Sequence, residues 1–257
     1  MLIKYLKEQT MHAIHIIAEK NAMSNAGAML NHETFSPYKG ICTGKDVVIC
    51  GAGPTLQKYQ PIDGAVHIAC NRAFLYDKVK FEFVFAQDWD GIKMVAQELI
   101  DYKGKNCVKL LARSFDGEKS IPESYALQCK AKQFVTDSCI YSNGFKSNFV
   151  NDIDYRVIGS FPNVGMSVIQ FALFMNPKRL FIVGCDMSGG HFVNKNQDLK
   201  EIAAEKKELE TKWSKELEKL LEKWSELKTF AKTFYPQTEI ISVNPVGLKG
   251  MFSDLYQ

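Results

Sequence analysis

Asp46 to Thr55 reads DVVICGAGPT, an apolar run that ends in two glycines and a proline. Where a strand stops this way, the missing side chains of Gly51 and Gly53 let backbone N–H groups approach phosphate oxygens, and Thr55 adds a hydroxyl donor. Ala52 and Pro54 complete the loop. The expectation is a phosphate-bearing ligand, a nucleotide first among them, although a strand turn with no ligand has the same signature. Leu56 and Gln57 break the GxGxxG of dinucleotide folds, and no Lys-Ser or Lys-Thr follows that would make a Walker loop.

Further chemistry-bearing residues follow at the ends of later apolar runs. AVHIAC leads into Asn71-Arg72, where an amide can hydrogen-bond a base, ribose or phosphate and a guanidinium can grip phosphate with two parallel bonds. FEFVFAQ delivers Asp88-Trp89-Asp90, a DxD that could hold Mg²⁺ or Mn²⁺ against a diphosphate; alternatively Asp88 accepts from a ligand hydroxyl with no metal. RLFIVG ends near Asp186, with His191 just beyond on a glycine-flexible loop, so these two are the general-base candidates. His12, His15, His32 and His67 lie in helical or strand contexts and read as structural. Asn163, Gly165 and Ser167 open a helical stretch whose first N–H groups favour an anion, and Asn244 follows the run EIISV.

The elements that must position these residues alternate. Short continuous apolar runs (DVVIC, AVHIAC, FEFVFAQ, CVKLLA, RLFIVG and EIISV) read as strands of a mostly parallel sheet covered on both faces. Gly91–Tyr102 and Gly165–Met175 read as helices between strands; in the second, Val168, Phe171, Ala172 and Met175 share one face, and Asn176-Pro177 is a stop signal. The fold class is therefore α/β, Rossmann-like, with ligands expected at the carboxyl edge of the sheet. Residues 1–38 read as an N-terminal helical arm that gives way, from about Ser24, to a polar linker; residues 39–257 form the α/β domain. Within it, about 197–235 is one long charged helix whose Trp213, Leu217, Leu220, Trp224, Leu227, Ala231 and Phe234 alternate four and three apart. That stripe either docks on its own domain or forms a seam, over 213–234, with a second copy or another helix.

Composition narrows the partners. With 257 residues, 46% of them hydrophobic, the chain can bury a large core. A net charge of +3 gives no basic stripe for duplex binding, so nucleic acid is not expected. The 7 cysteines are scattered through apolar runs with no CxxC pair, as suits a reducing cytosol. The N-terminal residues interleave charges with apolar positions, unlike a secretory signal, and no apolar run is long enough for a membrane span. A cytoplasmic protein is expected, with peripheral membrane association left open.

Taken together, GKDVVICGAGPTL, CNRAFL, FEFVFAQD and NVGMSVIQFALFMNPKRLFIVGCDM with GGHF resemble a bacterial family similar to the archaeal 6-hydroxymethylpterin diphosphokinase, which also takes in the flagellin motility accessory factors. The same order of motifs resembles the Campylobacter-type sialyltransferases, over roughly residues 38–192 and 239–252. Their loop reads GNGPS, so Ala52 stands where they have Asn. Their catalytic histidine precedes the last strand by about one helix, whereas this chain has no histidine after His191. The resemblance implies a Rossmann-like transferase that binds a nucleotide or nucleotide sugar between Gly51–Thr55, Asn71 and Asn163–Ser167.

The function this implies is transfer of a sugar from a nucleotide-sugar donor to a hydroxyl of a glycan or protein acceptor, in bacterial surface-glycan or flagellin modification. Two other readings stand beside it. One is a Mg-dependent diphosphotransferase in which Asp88 and Asp90 present Mg-ATP. The other is a non-catalytic assembly protein that uses the helical seam.

Overall fold

The computed structural model describes residues 2–113, 121–137, 148–159, 163–187 and 218–256, with side chains from residue 17 onward and that of Ile14. Among the described residues eight strands form one sheet: β1 (Asp46–Cys50), β2 (Val66–Cys70), β3 (Phe83–Ala86), β4 (Val108–Ala112), β5 (Lys132–Phe134), β6 (Arg179–Val183), β7 (Glu239–Val243) and β8 (Ser253–Asp254). Their order across the sheet is β5-β4-β3-β2-β1-β6-β7-β8, and every pairing is parallel. Six of the eight coincide with the apolar runs of the sequence. The other two, β5 and β8, are a three-residue and a two-residue strand at the sheet's edges.

Parallel strands buried on both faces need apolar side chains at successive positions, and β1 and β6 each bury four in a row. Val47 and Ile49 face one core with Ile68, Phe83, Phe85, Leu180 and Ile182. Val48 and Cys50 face the other with Ala69, Val84, Leu111, Phe181 and Val183. From β1 the chain runs outward through β2 to β5, then returns by α4 (Val164–Phe174) to β6 on the opposite side of β1. The direction of winding therefore reverses between β1 and β6, and a ligand crevice is expected at the carboxyl ends of the strands around that point.

The single apolar face expected of the Gly165–Met175 helix is wider in the structure. Every residue from Gly165 to Phe174 is buried, because the end of α1 and residues near 224–231 join the sheet in packing around it. Phe35 and Tyr38 pack their rings on Phe171 at centroid distances of 5.5 and 5.7 Å, and Lys39 lies over the Phe174 ring. The stop signal acts as read: Asn176 adopts a φ of 56° and its N–H bonds the Leu173 carbonyl at 2.8 Å.

The polar linker expected from about Ser24 is instead helix. Helix α1 spans Leu2–Phe35, and its last turns carry polar groups with specific acceptors on the edge of the sheet. Asn31 donates to the Val135 carbonyl at 2.9 Å and accepts from the Val135 N–H at 2.7 Å, a two-bond bridge that stands in for a strand partner. Thr34 donates to the Gln133 carbonyl at 2.5 Å. Polar residues in these positions cap an edge strand.

Two short helices, α2 (Ala96–Asp101) and α3 (Glu123–Gln128), cover the second face. Residues 218–234 form α5, the described part of the long charged helix; Trp213, Leu217 and the rest of 197–217 lie outside the described residues. Trp224, Leu227 and Ala231 are buried in the core shared with β6 and α4, while Phe234 is exposed. The described half of the stripe thus serves its own domain. A homo-oligomer seam over 213–234 that used Trp224 would have to draw it out of its own core.

One buried titratable group lies at the amino edge of the sheet, opposite the crevice. His67 donates from Nδ1 to the Ala65 carbonyl at 3.0 Å, which leaves Nε2 to accept from the Tyr59 hydroxyl at 2.9 Å. Burial holds the imidazole below its ordinary value, outweighing the nearby Glu82 charge. Since the unfolded chain takes up the proton more readily, stability is complete above about pH 6.5 and falls as pH drops below it. Melting temperatures at pH 7.5 and 5.5 should show this loss, and His67→Gln should flatten it; an unchanged pH dependence in that variant would remove His67 from the account.

Candidate functional site

The crevice at the switch point holds a cavity of about 360 Å³. Five segments build its wall: Gly51–Gly53 after β1, Cys70–Arg72 at the end of β2, Asp88–Gly91 after β3, Asn163–Gly165 at the start of α4, and Gly184–Met187 after β6. Leu220 of α5 adds an apolar patch. Of the residues singled out in the sequence, Gly51, Ala52, Gly53, Asn71, Arg72, Asp88, Asp90, Asn163, Gly165 and Asp186 line this one space. Pro54, Thr55, Ser167 and Asn244 do not, and His191 lies outside the described residues.

The glycine loop is built differently from a phosphate cradle. The Gly51 N–H donates to the Val183 carbonyl and the Gly53 N–H to the Gly184 carbonyl, both at 2.8 Å. The Thr55 N–H donates to Asp186 Oδ2 at 2.8 Å and its hydroxyl to Asp186 Oδ1. Pro54 has no N–H, so among the described residues only Ala52 keeps a loop donor without an acceptor. The expectation that Gly51, Gly53 and Thr55 offer donors to phosphate is corrected accordingly. The glycines have another use: a Cβ on Gly51 would meet the Gly184 carbonyl oxygen at 2.4 Å, and one on Gly53 would meet Asp186 Oδ2 at 2.5 Å. They let the β1 and β6 loops touch backbone to backbone.

Asp186 changes character in the same way. Read from sequence as a candidate base, it is a carboxylate only 5% exposed, with both oxygens accepting from Thr55. Ser167, read as a ligand contact, is buried and lies within hydrogen-bond distance of Gln87 Oε1 at 2.7 Å and the Gly159 carbonyl at 3.0 Å. Asn163 faces the cavity but caps its own helix, accepting the Gly165 N–H at 2.8 Å. Asn244, in a left-handed conformation at φ 50°, borders a separate small void beside Asp186.

Asn71 and Arg72 keep unused bonding capacity. Asn71 sits at φ 49°, a strained conformation for a side chain other than glycine, with its amide laid against Gly91. A Cβ at Gly91 would fall 2.5 Å from Asn71 Nδ2, so the glycine makes room for the amide. Its buried Oδ1 has no partner. Arg72 is half-buried, lines the cavity and has no ion pair among the described residues; desolvation pulls its pKa below the ordinary value. An unpaired guanidinium in such a place is costly unless an anion completes it.

The acidic pair does not make a metal centre. Asp88 Oδ1 accepts the Gly91 N–H at 2.7 Å, and Asp90 pairs with Lys93 at 2.6 Å on the surface. No group of three or more His, Cys, Asp or Glu able to hold a metal gathers among the described residues. Among the described residues, two carboxylates already engaged by Gly91 and Lys93 fall short of the oxygen set that Mg²⁺ or Mn²⁺ takes. The cavity floor carries a feature the sequence reading missed: Cys70 and Cys185 line it, with Cys50 buried behind. Burial and then the Asp186 charge push the Cys185 thiol up to about 12, so it stays protonated. Only the position of each cysteine at a strand's carboxyl end could have signalled this.

Among the described residues, no helix is long and apolar enough to cross a membrane. No family model matches the chain, and no curated protein matches it. Among solved structures it is similar to the sialyltransferase CstII from Campylobacter jejuni in complex with the substrate analogue CMP-3FNeuAc, at 14% identity over 77% of this chain and 80% of that one, with a TM-score of 0.43. CstII in complex with a trisaccharide acceptor and CMP is similar at 15% identity, 77% and 80% coverage and a TM-score of 0.44. The monofunctional α-2,3-sialyltransferase Cst-I from Campylobacter jejuni is similar at 14% identity, 77% and 75% coverage and a TM-score of 0.43. Identity and TM-score at this level transfer neither a ligand nor a reaction.

Proposed function

We propose that the chain is a nucleotide-sugar-dependent glycosyltransferase that binds its donor in the switch-point cavity and passes the sugar to a hydroxyl of a glycan or protein acceptor. The observation that carries this reading is Arg72, a half-buried guanidinium without an anion in the ligand crevice of a parallel sheet. Beside it, the Asn71 amide, which lines the same cavity, can bond a ribose or sugar hydroxyl, and the Ala52 N–H can join Arg72 on a phosphate. Asp88 is suited to a sugar hydroxyl. These pairings satisfy one charge and two polar groups that the chain leaves without partners. The carboxylate of Asp88 favours a ligand rich in hydroxyl donors over a bare polyphosphate.

Metal-dependent diphosphotransfer loses its donor set when Asp90 pairs with Lys93. The role in surface-glycan or flagellin modification rests on the motif resemblance. The N-terminal helical arm over 1–38 and the transferase domain over 39–257 keep their boundaries, with helix in place of the linker. His191, four residues beyond Met187 of the cavity wall, remains the proposed base that takes the acceptor's proton. His191→Ala should lower turnover about 100-fold or more with any donor that supports transfer, while donor affinity stays within about two-fold. Retained turnover in that variant, measured as nucleotide release, would remove His191 from the reaction.

A further inference from the structure

The contact between Thr55 and Asp186 joins the two loops on either side of the switch point. Its parts are mutually dependent. Thr55 reaches both carboxylate oxygens because Gly53 has no side chain to intervene, and the Gly53 N–H ties the same loop to the Gly184 carbonyl. On the far side, the Asp186 carbonyl accepts the Gly247 N–H at 3.0 Å, extending the link to the segment after β7. A base must be reached by the proton it removes. Asp186 is covered by Gly53 and engaged by Thr55, so its carboxylate closes the floor of the cavity instead of facing the acceptor.

We propose that Asp186 is a positioning residue: with Thr55 it forms a clasp that holds the β1 loop against the β6 loop, and so fixes the part of the cavity wall on which Ala52 meets the donor. The consequence for donor binding rests on the glycosyltransferase reading. The clasp itself does not.

Cys185 reports on the clasp directly. Its sulfur would lie 3.0 Å from a Cβ on Gly51, next to the loop contact that Thr55 and Asp186 hold together. Iodoacetamide labelling at pH 8, read by peptide mass spectrometry with Cys107 as internal reference, should be slow for Cys185 in the wild-type chain. Thr55→Val removes the hydroxyl donor and should raise the Cys185 rate about ten-fold, Thr55→Ser should restore it, and Asp186→Asn should match Thr55→Val without adding to it. In the unaltered chain, hydrogen exchange of the Gly51, Gly53 and Thr55 amides should be nearly as slow as that of β1. Fast exchange there, or a Cys185 rate unmoved by Thr55→Val, would overturn the clasp even if a variant folds poorly.

Kinetics separate positioning from proton transfer. For a donor that turns over, Thr55→Val and Asp186→Asn should raise KM by similar factors with kcat held within about three-fold. A kcat for Asp186→Asn far below that of Thr55→Val would return the proton-transfer role to Asp186 and defeat the proposal. Should no nucleotide bind at all, the transferase reading fails while the labelling and exchange results still decide the clasp.

Discussion

Replacing Gly184 with alanine lowers the unfolding free energy by about 3 kcal/mol, against about 1 kcal/mol for the same change at Gly44. Both glycines have positive φ, 67° and 78°, so each substitution incurs the strain of placing a side chain in the left-handed region. They differ in surroundings. An added Cβ at Gly44 meets nothing within 4 Å, whereas at Gly184 it falls 2.2 Å from the Gly51 carbonyl oxygen. Backbone cannot step aside as a flexible side chain can, so the β1 and β6 loops must part. Urea denaturation of the two variants measures the difference, and equal losses would show that the loops are not packed backbone to backbone.

Arg72→Gln carries the second large effect, and it has two opposite signs. With no ligand, the variant loses a half-buried charge that has no partner, so its melting temperature should rise. With nucleotide, it loses a bidentate pair to phosphate, so affinity should fall on the order of 100-fold. Arg72→Lys keeps the charge without the planar fork and should lose about ten-fold. Titration calorimetry together with thermal melts tests the pair of expectations. A variant that is both less stable and unchanged in affinity would make Arg72 a structural residue and remove the observation on which the functional reading stands.

Much of the fold is legible in the sequence because a parallel sheet buried on both faces demands unbroken apolar runs, and six strands consist of them. The two edge strands are not legible: β5 buries only Phe134 in the sequence KQF, and β8 is a Ser-Asp pair held by its neighbour. The end of α1 reads as a linker for a similar reason. Asn31 and Thr34 are polar because they bond the backbone near the sheet's edge, which no local pattern can reveal.

The site divides along the same line. Asn71, Arg72, Asp88, Asn163 and Asp186 are legible as a group because each follows an apolar run or opens a helix, and the carboxyl edge of one sheet gathers them. What each one bonds is not. GAGPT marks a place where a side chain would be in the way, and a phosphate or a neighbouring backbone would leave the same mark. Here the neighbour is Gly184, 133 positions along the chain by number. Likewise Asp186 and Thr55, separated by 131 residues, answer each other in space. Asp90 has a local partner, Lys93, at helical spacing; that charge pair, visible in the sequence, argues against reading a DxD as two free metal ligands.

Thermal melting of the wild-type chain with CMP-, UDP-, GDP- and ATP-type ligands, each with and without Mg²⁺ or Mn²⁺, tests the donor-binding claim most directly. The account predicts that one nucleotide-sugar class, at about 100 times its dissociation constant, raises the melting temperature by about 5 °C or more, and does so equally without metal. No shift with any nucleotide, or a shift by ATP alone that depends strictly on Mg²⁺, would contradict it.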